Sequence, residues 1–230
     1  MPDLEALKQQ AALKALDHVE SGMLIGLGTG STAKYVIEGV GERLASGELK
    51  DITAVVTSKA SEQLAHDLDI PLVDLTGQTL DVAIDGMDEV NPQLDAIKGL
   101  GGALTREKIV EACADFFILV GDETKRVTHL GEKAPVPVEV IPFGWQATKK
   151  KLETLGCRVE RRSKEGETFV TDNGNFVLDC RLSPPVDAYA LARDISSTPG
   201  VVEHGLFLEM AHLAYIATQS EVLTLRADRA

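Results

Sequence analysis

Short apolar runs that alternate with helical patterns over the first 130 residues constrain this chain more than any other feature. Leu4, Leu7, Ala11, Ala12, Ala15, Leu16 and Val19 recur at helical spacing and predict an opening amphipathic helix. Met23-Leu24-Ile25 then reads as a buried strand, followed by a helix over 33–46, a strand over Ile52–Thr57 and a helix over Ser61–Leu68. Pro71–Leu75 and Leu80–Ile84 are strand-like, Thr105–Ala114 is helical, and Phe116–Val120 is another apolar strand. Strands this short and apolar, interleaved with helices, predict a parallel sheet flanked by helices, because such strands need burial on both faces. Ligands of these sheets bind beyond the carboxyl ends of the strands.

The pattern changes after about residue 130. Pro135, Pro137 and Pro142 punctuate a strand at Val138–Ile141, followed by a helix over Trp145–Leu155 and a polar strand at Arg158–Arg162. Thr171-Asp172-Asn173-Gly174-Asn175 predicts a hairpin turn, with Asn-Gly at its heart. A strand over Phe176–Leu182, a helix over Asp187–Ile195 and a strand over Val201–Leu208 complete a βαββαβ order, that of a ferredoxin-like split unit. Val222–Leu225 is expected to return to the first sheet. The division is therefore a larger α/β domain over 1–130 plus 206–230, and a smaller α+β domain over 131–205.

With 44% hydrophobic and 26% charged residues, the chain has the composition of a soluble globular protein. Its net charge of −13 argues against nucleic acid or an anionic membrane as partner, since both need a basic field. A small anion is still compatible, because local lysines and helix starts can outweigh the mean field. Three widely spaced cysteines, Cys113, Cys157 and Cys180, fit reduced thiols in the cytoplasm. Met1–Glu20 lacks the apolar centre of a signal peptide, and no segment has the length of a transmembrane helix.

Four motifs carry candidate chemistry. Gly26-Leu27-Gly28-Thr29-Gly30-Ser31-Thr32 lies between a strand and a helix, where anion-binding turns occur. It is neither a dinucleotide fingerprint, which needs Gly or Ala where Ser31 stands, nor a P-loop, which needs Gly-Lys-Ser/Thr. A plain turn with Ser31 or Thr32 capping the helix is the simpler alternative. Asp85-Gly86-Met87-Asp88-Glu89 places two carboxylates at one strand end, where they can divide protonation states; a turn cap is again the simpler alternative. Lys98-Gly99-Leu100-Gly101-Gly102-Ala103-Leu104-Thr105-Arg106-Glu107-Lys108 sets a lysine before a glycine turn and a glutamate inside the next helix. Such a lysine can hold an oxyanion and such a glutamate can move a proton, although Glu107 could equally complement the helix dipole. Gly121-Asp122-Glu123-Thr124-Lys125 brings Lys125 to the same sheet edge, although taken alone a solvated surface lysine is the simpler reading. His18, His66, His129, His204 and His212 show no metal-ligand spacing, so no metal site is expected.

In order and spacing these motifs resemble the A type of ribose-5-phosphate isomerase. Val138-Glu139-Val140-Ile141-Pro142, Thr171–Asn175 and Pro199-Gly200-Val201-Val202 extend the resemblance over nearly the whole chain. Met87 stands where the family usually has alanine, and Leu100 interrupts what is often a straight glycine run; both bear on pocket shape rather than on the acidic and lysine positions. The resemblance implies a doubly wound, mostly parallel α/β domain carrying a smaller ferredoxin-like lid, usually in homodimers or homotetramers. It implies interconversion of D-ribose 5-phosphate and D-ribulose 5-phosphate in the pentose phosphate pathway, with no metal or other cofactor. Glu107 would carry the proton between C1 and C2, with Asp85, Asp88 and Lys98 at the hydroxyls and carbonyl. Thr29, Gly30, Ser31, Thr32, Gly86, Met87, Gly99, Leu100, Gly101 and Lys125 would join them in binding substrate, and Lys8 would lie near the phosphate.

Chemistry agrees with those roles. Removing a proton beside a carbonyl produces an enediolate, whose oxygen Lys98 can stabilise. An ordinary glutamate, with a pKa of about 4.3, is ionised at neutral pH and can act as the base. A second group must relay a proton between the oxygens, a role expected of Asp85 rather than Asp88. A non-enzymatic sugar-phosphate sensor is the alternative, but no basic DNA-binding module accompanies the sheet; a nucleotide enzyme is opposed by the missing fingerprint.

Overall fold

The computed structural model describes residues 3–227, so the outermost limits of the larger domain, 1–2 and 228–230, lie outside the described residues. The chain runs α1 (Leu4–Ala15), β1 (Leu24–Leu27), α2 (Ala33–Ser46), β2 (Thr53–Val56), α3 (Lys59–Asp67), β3 (Val82–Gly86), β4 (Glu89–Val90), β5 (Ala96–Ile97), α4 (Leu104–Ala112) and β6 (Phe117–Asp122). It continues through β7 (Val136–Val140), α5 (Trp145–Glu153), β8 (Arg158–Arg161), β9 (Ser163–Lys164), β10 (Glu167–Thr168), β11 (Phe176–Arg181), α6 (Ala188–Ser196) and β12 (Val201–His204). Three strands close it, β13 (Leu206–Phe207), β14 (Leu213–Ala217) and β15 (Val222–Arg226).

The main sheet has six strands in the order β15-β14-β6-β3-β1-β2. Every pairing is parallel except β14 with β15. Both faces of its interior strands are covered, which is why those strands are mostly apolar. Ile25, Leu27, Ile84, Ile118 and Val120 pack with Leu7, Ala11, Val36 and Ile37 from α1 and α2. On the opposite face Ala83, Phe117, Leu119, Ala214 and Ile216 pack with Val90, Ala96 and Phe207 from a small antiparallel sheet, β13-β5-β4. Val55 and Leu80 meet Val110 of α4 on that side. Asp3 caps α1 by accepting from the N–H groups of Glu5 and Ala6, and Gly47, at φ 79°, ends α2 in a conformation that favours glycine.

The second sheet is antiparallel, in the order β12-β7-β11-β8. Fourth, first, third and second strand of a βαββαβ unit is the ferredoxin-like order. Leu152 of α5 and Leu191 and Ile195 of α6 cover one face with Val138, Val159, Leu178 and both buried cysteines, Cys157 and Cys180. From β7, the buried Glu139 turns toward the start of α4: its carboxylate accepts from Thr105 Oγ1 at 2.5 Å. It also accepts from Thr171, Asn173 and Asn175 of the expected hairpin turn, across which Val170 and Phe176 form an antiparallel bridge. A second hairpin, with a two-residue loop, joins β9 and β10, where Glu165 and Gly166 both take positive φ. Among the described residues no helix is long and apolar enough to cross a membrane.

The structure differs from the sequence expectations in three places. Pro71–Leu75 does not form a strand: only Leu72 bridges Ala54, at the sheet edge beyond β2. Leu213–Ala217 is a central strand that the pattern did not single out, a five-residue run buried between β6 and β15. The expected strand over Val201–Leu208 is broken at Gly205, with β12 joining β7 and β13 joining β5. Gly205 marks the break because a Cβ there would stand 2.2 Å from the Lys98 carbonyl oxygen and 2.7 Å from the Pro137 ring. Its own carbonyl accepts from the Lys98 N–H at 2.9 Å. Gly205→Ala is therefore expected to cost about 1–3 kcal/mol, typical of a forced overpacking, and to lower the urea midpoint accordingly.

Candidate active site

Four strand ends and two helix starts converge on a cavity of about 200 Å³. Thr29, Gly30, Ser31 and Thr32 line it from the β1–α2 loop, Gly86, Met87 and Asp88 from the β3–β4 turn, and Lys98, Gly99 and Gly101 from the glycine loop. Glu107 enters from the first turn of α4 and Lys125 from the turn after β6. These motifs lie far apart in sequence, and the sheet brings them together at its carboxyl edge, as parallel topology dictates.

The β1–α2 loop needs glycine at position 28, where a Cβ would fall 1.9 Å from Asp85 Oδ1. Thr29 donates its N–H to that oxygen at 2.9 Å. Its hydroxyl is held by Thr57 at 2.6 Å and Ser58 at 2.8 Å, residues whose importance the sequence did not signal. Thr32 occupies the N-cap position of α2 without a side-chain cap bond. The simpler capping alternative is therefore not what is observed. The helix start, with its orphan N–H groups and partial positive charge, opens on the cavity.

Behind the cavity wall lies a cluster of buried charges. The Lys98 ammonium is 2.7 Å from Asp85 Oδ2, 3.3 Å from Glu111 Oε1 and 3.5 Å from Glu107 Oε2, and it donates to the Gly86 carbonyl at 2.6 Å. Burial works against the lysine's charge, but the three carboxyls outweigh it and hold the ammonium above the ordinary lysine range. Burial pushes Glu107 up to about 8; Lys98 opposes the shift, while Asp85 and Asp88 reinforce it. Glu107 is thus not the ordinary glutamate that the sequence suggests, since it lies on the buried side of α4 among like charges. Burial also raises Asp88, against the pull of the Leu100 N–H and of Lys98, Lys125 and Arg162.

Asp85 and Asp88 take different places. Asp85 is buried beneath the cavity, its Oδ1 fixed by the N–H groups of Thr29 and Gly86 and its Oδ2 by Lys98. Asp88 lines the cavity and accepts the Leu100 N–H at 2.8 Å. Leu100 itself is exposed, so it contributes a backbone donor rather than a side chain. Lys8 pairs with Glu5 on α1 at 2.6 Å and does not line the cavity. Among the described residues no carboxylate forms an ion pair with Lys125.

The smaller unit grips the glycine loop. Arg162 donates to the carbonyls of Gly99 and Leu100, each at 2.9 Å, while Asp179 binds the same guanidinium through two oxygens. Phe169 sits where a Cβ on Gly102 would be, 2.3 Å away. No local signal pointed to Arg162, Asp179 or Phe169. Glu111 had one, because it follows Glu107 by one helical turn and shares its face. Among the described residues no group of His, Cys, Asp and Glu is placed as a metal ligand set.

A buried ammonium, a glutamate of raised pKa and an anion-accepting helix start at a parallel sheet edge define an α/β enzyme that moves protons on a small anion. The family model for ribose 5-phosphate isomerase A (phosphoriboisomerase A) matches residues 53–221, and the chain belongs to that family. A ribose-5-phosphate isomerase A from Deinococcus radiodurans is 50% identical over 97% of this chain and 99% of its own length. The solved ribose 5-phosphate isomerase from Plasmodium falciparum superposes with a TM-score of 0.96 at 40% identity, covering 98% of this chain and all of that one. A solved D-ribose-5-phosphate isomerase in complex with phospho-erythronic acid gives 0.95 at 41% identity, over 98% of this chain and 100% of its own.

The raised pKa of Glu107 has a thermodynamic consequence. Between 4.5 and about 8 the folded chain keeps a proton that the unfolded chain has released. Stability from this group is fully present below the lower value and is lost as pH rises through the upper one. Glu107→Gln removes that loss. Its Tm relative to the parent protein is expected to climb as pH rises from about 5 to about 9, as read by calorimetry across that range.

Proposed function

We propose that the protein interconverts D-ribose 5-phosphate and D-ribulose 5-phosphate through an enediolate, as an enzyme of the pentose phosphate pathway. The observation that carries this reading is Glu107 and Lys98 facing one small cavity, 3.5 Å apart, where carbon-bound hydrogen and carbonyl oxygen of a sugar can lie side by side. Ionised Glu107 takes the proton from C2 of the open-chain aldose, and the electron pair moves toward the C1 carbonyl oxygen. The Lys98 ammonium stabilises the negative charge that develops there. A proton passes between the two oxygens, and Glu107 returns its own proton to C1 to give the ketose. One base on one face thus serves both directions.

The lining of the cavity favours Asp88 over Asp85 as the relay. Asp88 lines the cavity, and burial raises its pKa, which favours giving and taking a proton. Asp85, occupied by two backbone donors and Lys98, holds the lysine in place. The phosphate fits best at the opening of α2 and at Lys125, which supply positive charge against a chain of net charge −13. Binding of phospho-erythronic acid by a solved relative supports a phosphorylated sugar as substrate. Lys8, held by Glu5, has a weaker claim to the phosphate. A sensor has no use for a buried base, and that alternative is set aside. Cytoplasmic location, homo-oligomeric assembly, independence of metal, and division into a 1–130 plus 206–230 catalytic domain and a 131–205 lid belong to the same proposal.

Two substitutions test it. Glu107→Gln is expected to lower kcat by about 10²–10⁴-fold while substrate still binds; retention of more than about a tenth of the turnover would exclude Glu107 as base. Lys125→Ala is expected to raise KM for ribose 5-phosphate but to leave the weak reaction of unphosphorylated ribose unchanged. Equal losses on both sugars would mean that Lys125 does not read the phosphate.

A further inference from the structure

Glu111 is a buried ionisable group that the reaction above does not use. It stands one turn after Glu107 on α4, is 3% exposed, and does not line the cavity. Its Oε1 is 3.3 Å from the Lys98 ammonium, yet neither of its oxygens accepts a hydrogen bond. Every group packed around it bears on its charge. Asp85 comes from β3, Lys98 from the loop after β5 and Glu107 from its own helix. Lys108, also on α4, is drawn away to Glu203 and the His204 carbonyl, and β13 offers only the Phe207 ring, 5.3 Å from the Lys98 ammonium.

Three carboxylates against one ammonium would leave two negative charges uncompensated among side chains that are nearly fully buried. Interiors do not tolerate that, and a proton is taken up instead. It cannot rest on Glu107 if Glu107 is to act as base. We propose that Glu111 is a positioning residue that holds this proton, donates it as a hydrogen bond to Asp85, and so leaves Glu107 free to ionise. The inference rests on the reading of Glu107 as base. Asp85 Oδ2 and Glu111 Oε1 flank the same ammonium at 2.7 and 3.3 Å, and a bond between them needs a proton that a bare Glu111 carboxylate lacks. Burial raises Glu111 well above the ordinary range, with Asp85 and Glu107 adding to the shift and Lys98 opposing it. The neutral acid also keeps Asp85 aligned on Lys98, which ties Glu111 to turnover without any contact with substrate.

Infrared spectra of the intact protein at about pH 9, above the value of Glu107, test where the proton sits. The carbonyl band of a buried, protonated carboxylic acid is expected in the parent protein and in Glu107→Gln, and absent from Glu111→Gln. A band that survives in Glu111→Gln overturns the proposal. In kinetics, Glu111→Met is expected to lose turnover by about tenfold, less than removal of a base, with KM unchanged. Glu111→Gln, which keeps a neutral donor, is expected to recover most of that loss with the acid limb of kcat/KM in place. A limb moved down by about one pH unit or more would show Glu111 ionised in the working enzyme; equal turnover in the Gln and Met variants would make it packing alone. Either result defeats the inference. Should the Met variant fail to fold, the Gln variant and the spectra still decide. High turnover in Glu107→Gln would defeat the base assignment by itself, while the band continues to report on Glu111.

Discussion

The site depends on one ammonium buried among carboxyls. Lys98 is 2% exposed, and burial of a lone lysine at that depth would strip its proton. Asp85, Glu107 and Glu111 prevent this, while burial beside Asp85 and Asp88 lifts the pKa of Glu107 against the pull of the lysine. Charge on the lysine and proton affinity on the glutamate are therefore two results of one arrangement. The arrangement is costly for stability, since like charges and desolvation both oppose folding, and sites of this kind are where proteins accept such cost.

Much of the surrounding structure acts to keep that cluster in register. Gly28 lets the β1–α2 loop close on Asp85, and Gly205 lets the chain cross directly against the Lys98 backbone. These are packing requirements at close approach, distinct from a need for positive φ. The smaller unit adds two further constraints. Arg162, anchored by Asp179, holds the Gly99 and Leu100 carbonyls, which fixes the direction of the Leu100 N–H toward Asp88. Glu139 binds Thr105 at the start of α4 and the Thr171–Asn175 turn at once, so the helix bearing Glu107 and Glu111 is located from both units. The smaller unit thereby supports the site without lining its cavity.

The two departures from the usual family pattern resolve in physical terms. Leu100 is exposed and contributes only its N–H, so a side chain in the glycine run leaves the cavity intact. Met87 is buried, lines the cavity, and packs within the cluster around Phe117 and Leu119. Its terminal carbon would be 2.8 Å from a Cβ at Gly121, so the space opened by one glycine is filled by the longer side chain. Met87 therefore shapes the floor between Asp88 and Lys125.

From sequence alone, alternating apolar runs and helices determined the parallel sheet, and strand-end motifs identified Asp85, Asp88, Lys98, Glu107 and Lys125. Those features are local: periodicity follows from which faces are buried, and a glycine turn beside a lysine or acid carries its chemistry on its face. The βαββαβ order was legible for the same reason. The short Leu213–Ala217 strand was not, because five apolar residues hold too little pattern to show where they lie. Only the tertiary structure decided which aspartate faces the cavity, that Lys8 is held by Glu5, and that Glu111 shares the lysine with Glu107. It alone brought Arg162 and Glu139 to the site. Proton affinity and grip of this sort are properties of distance and burial between segments remote in the chain, and no single segment encodes them.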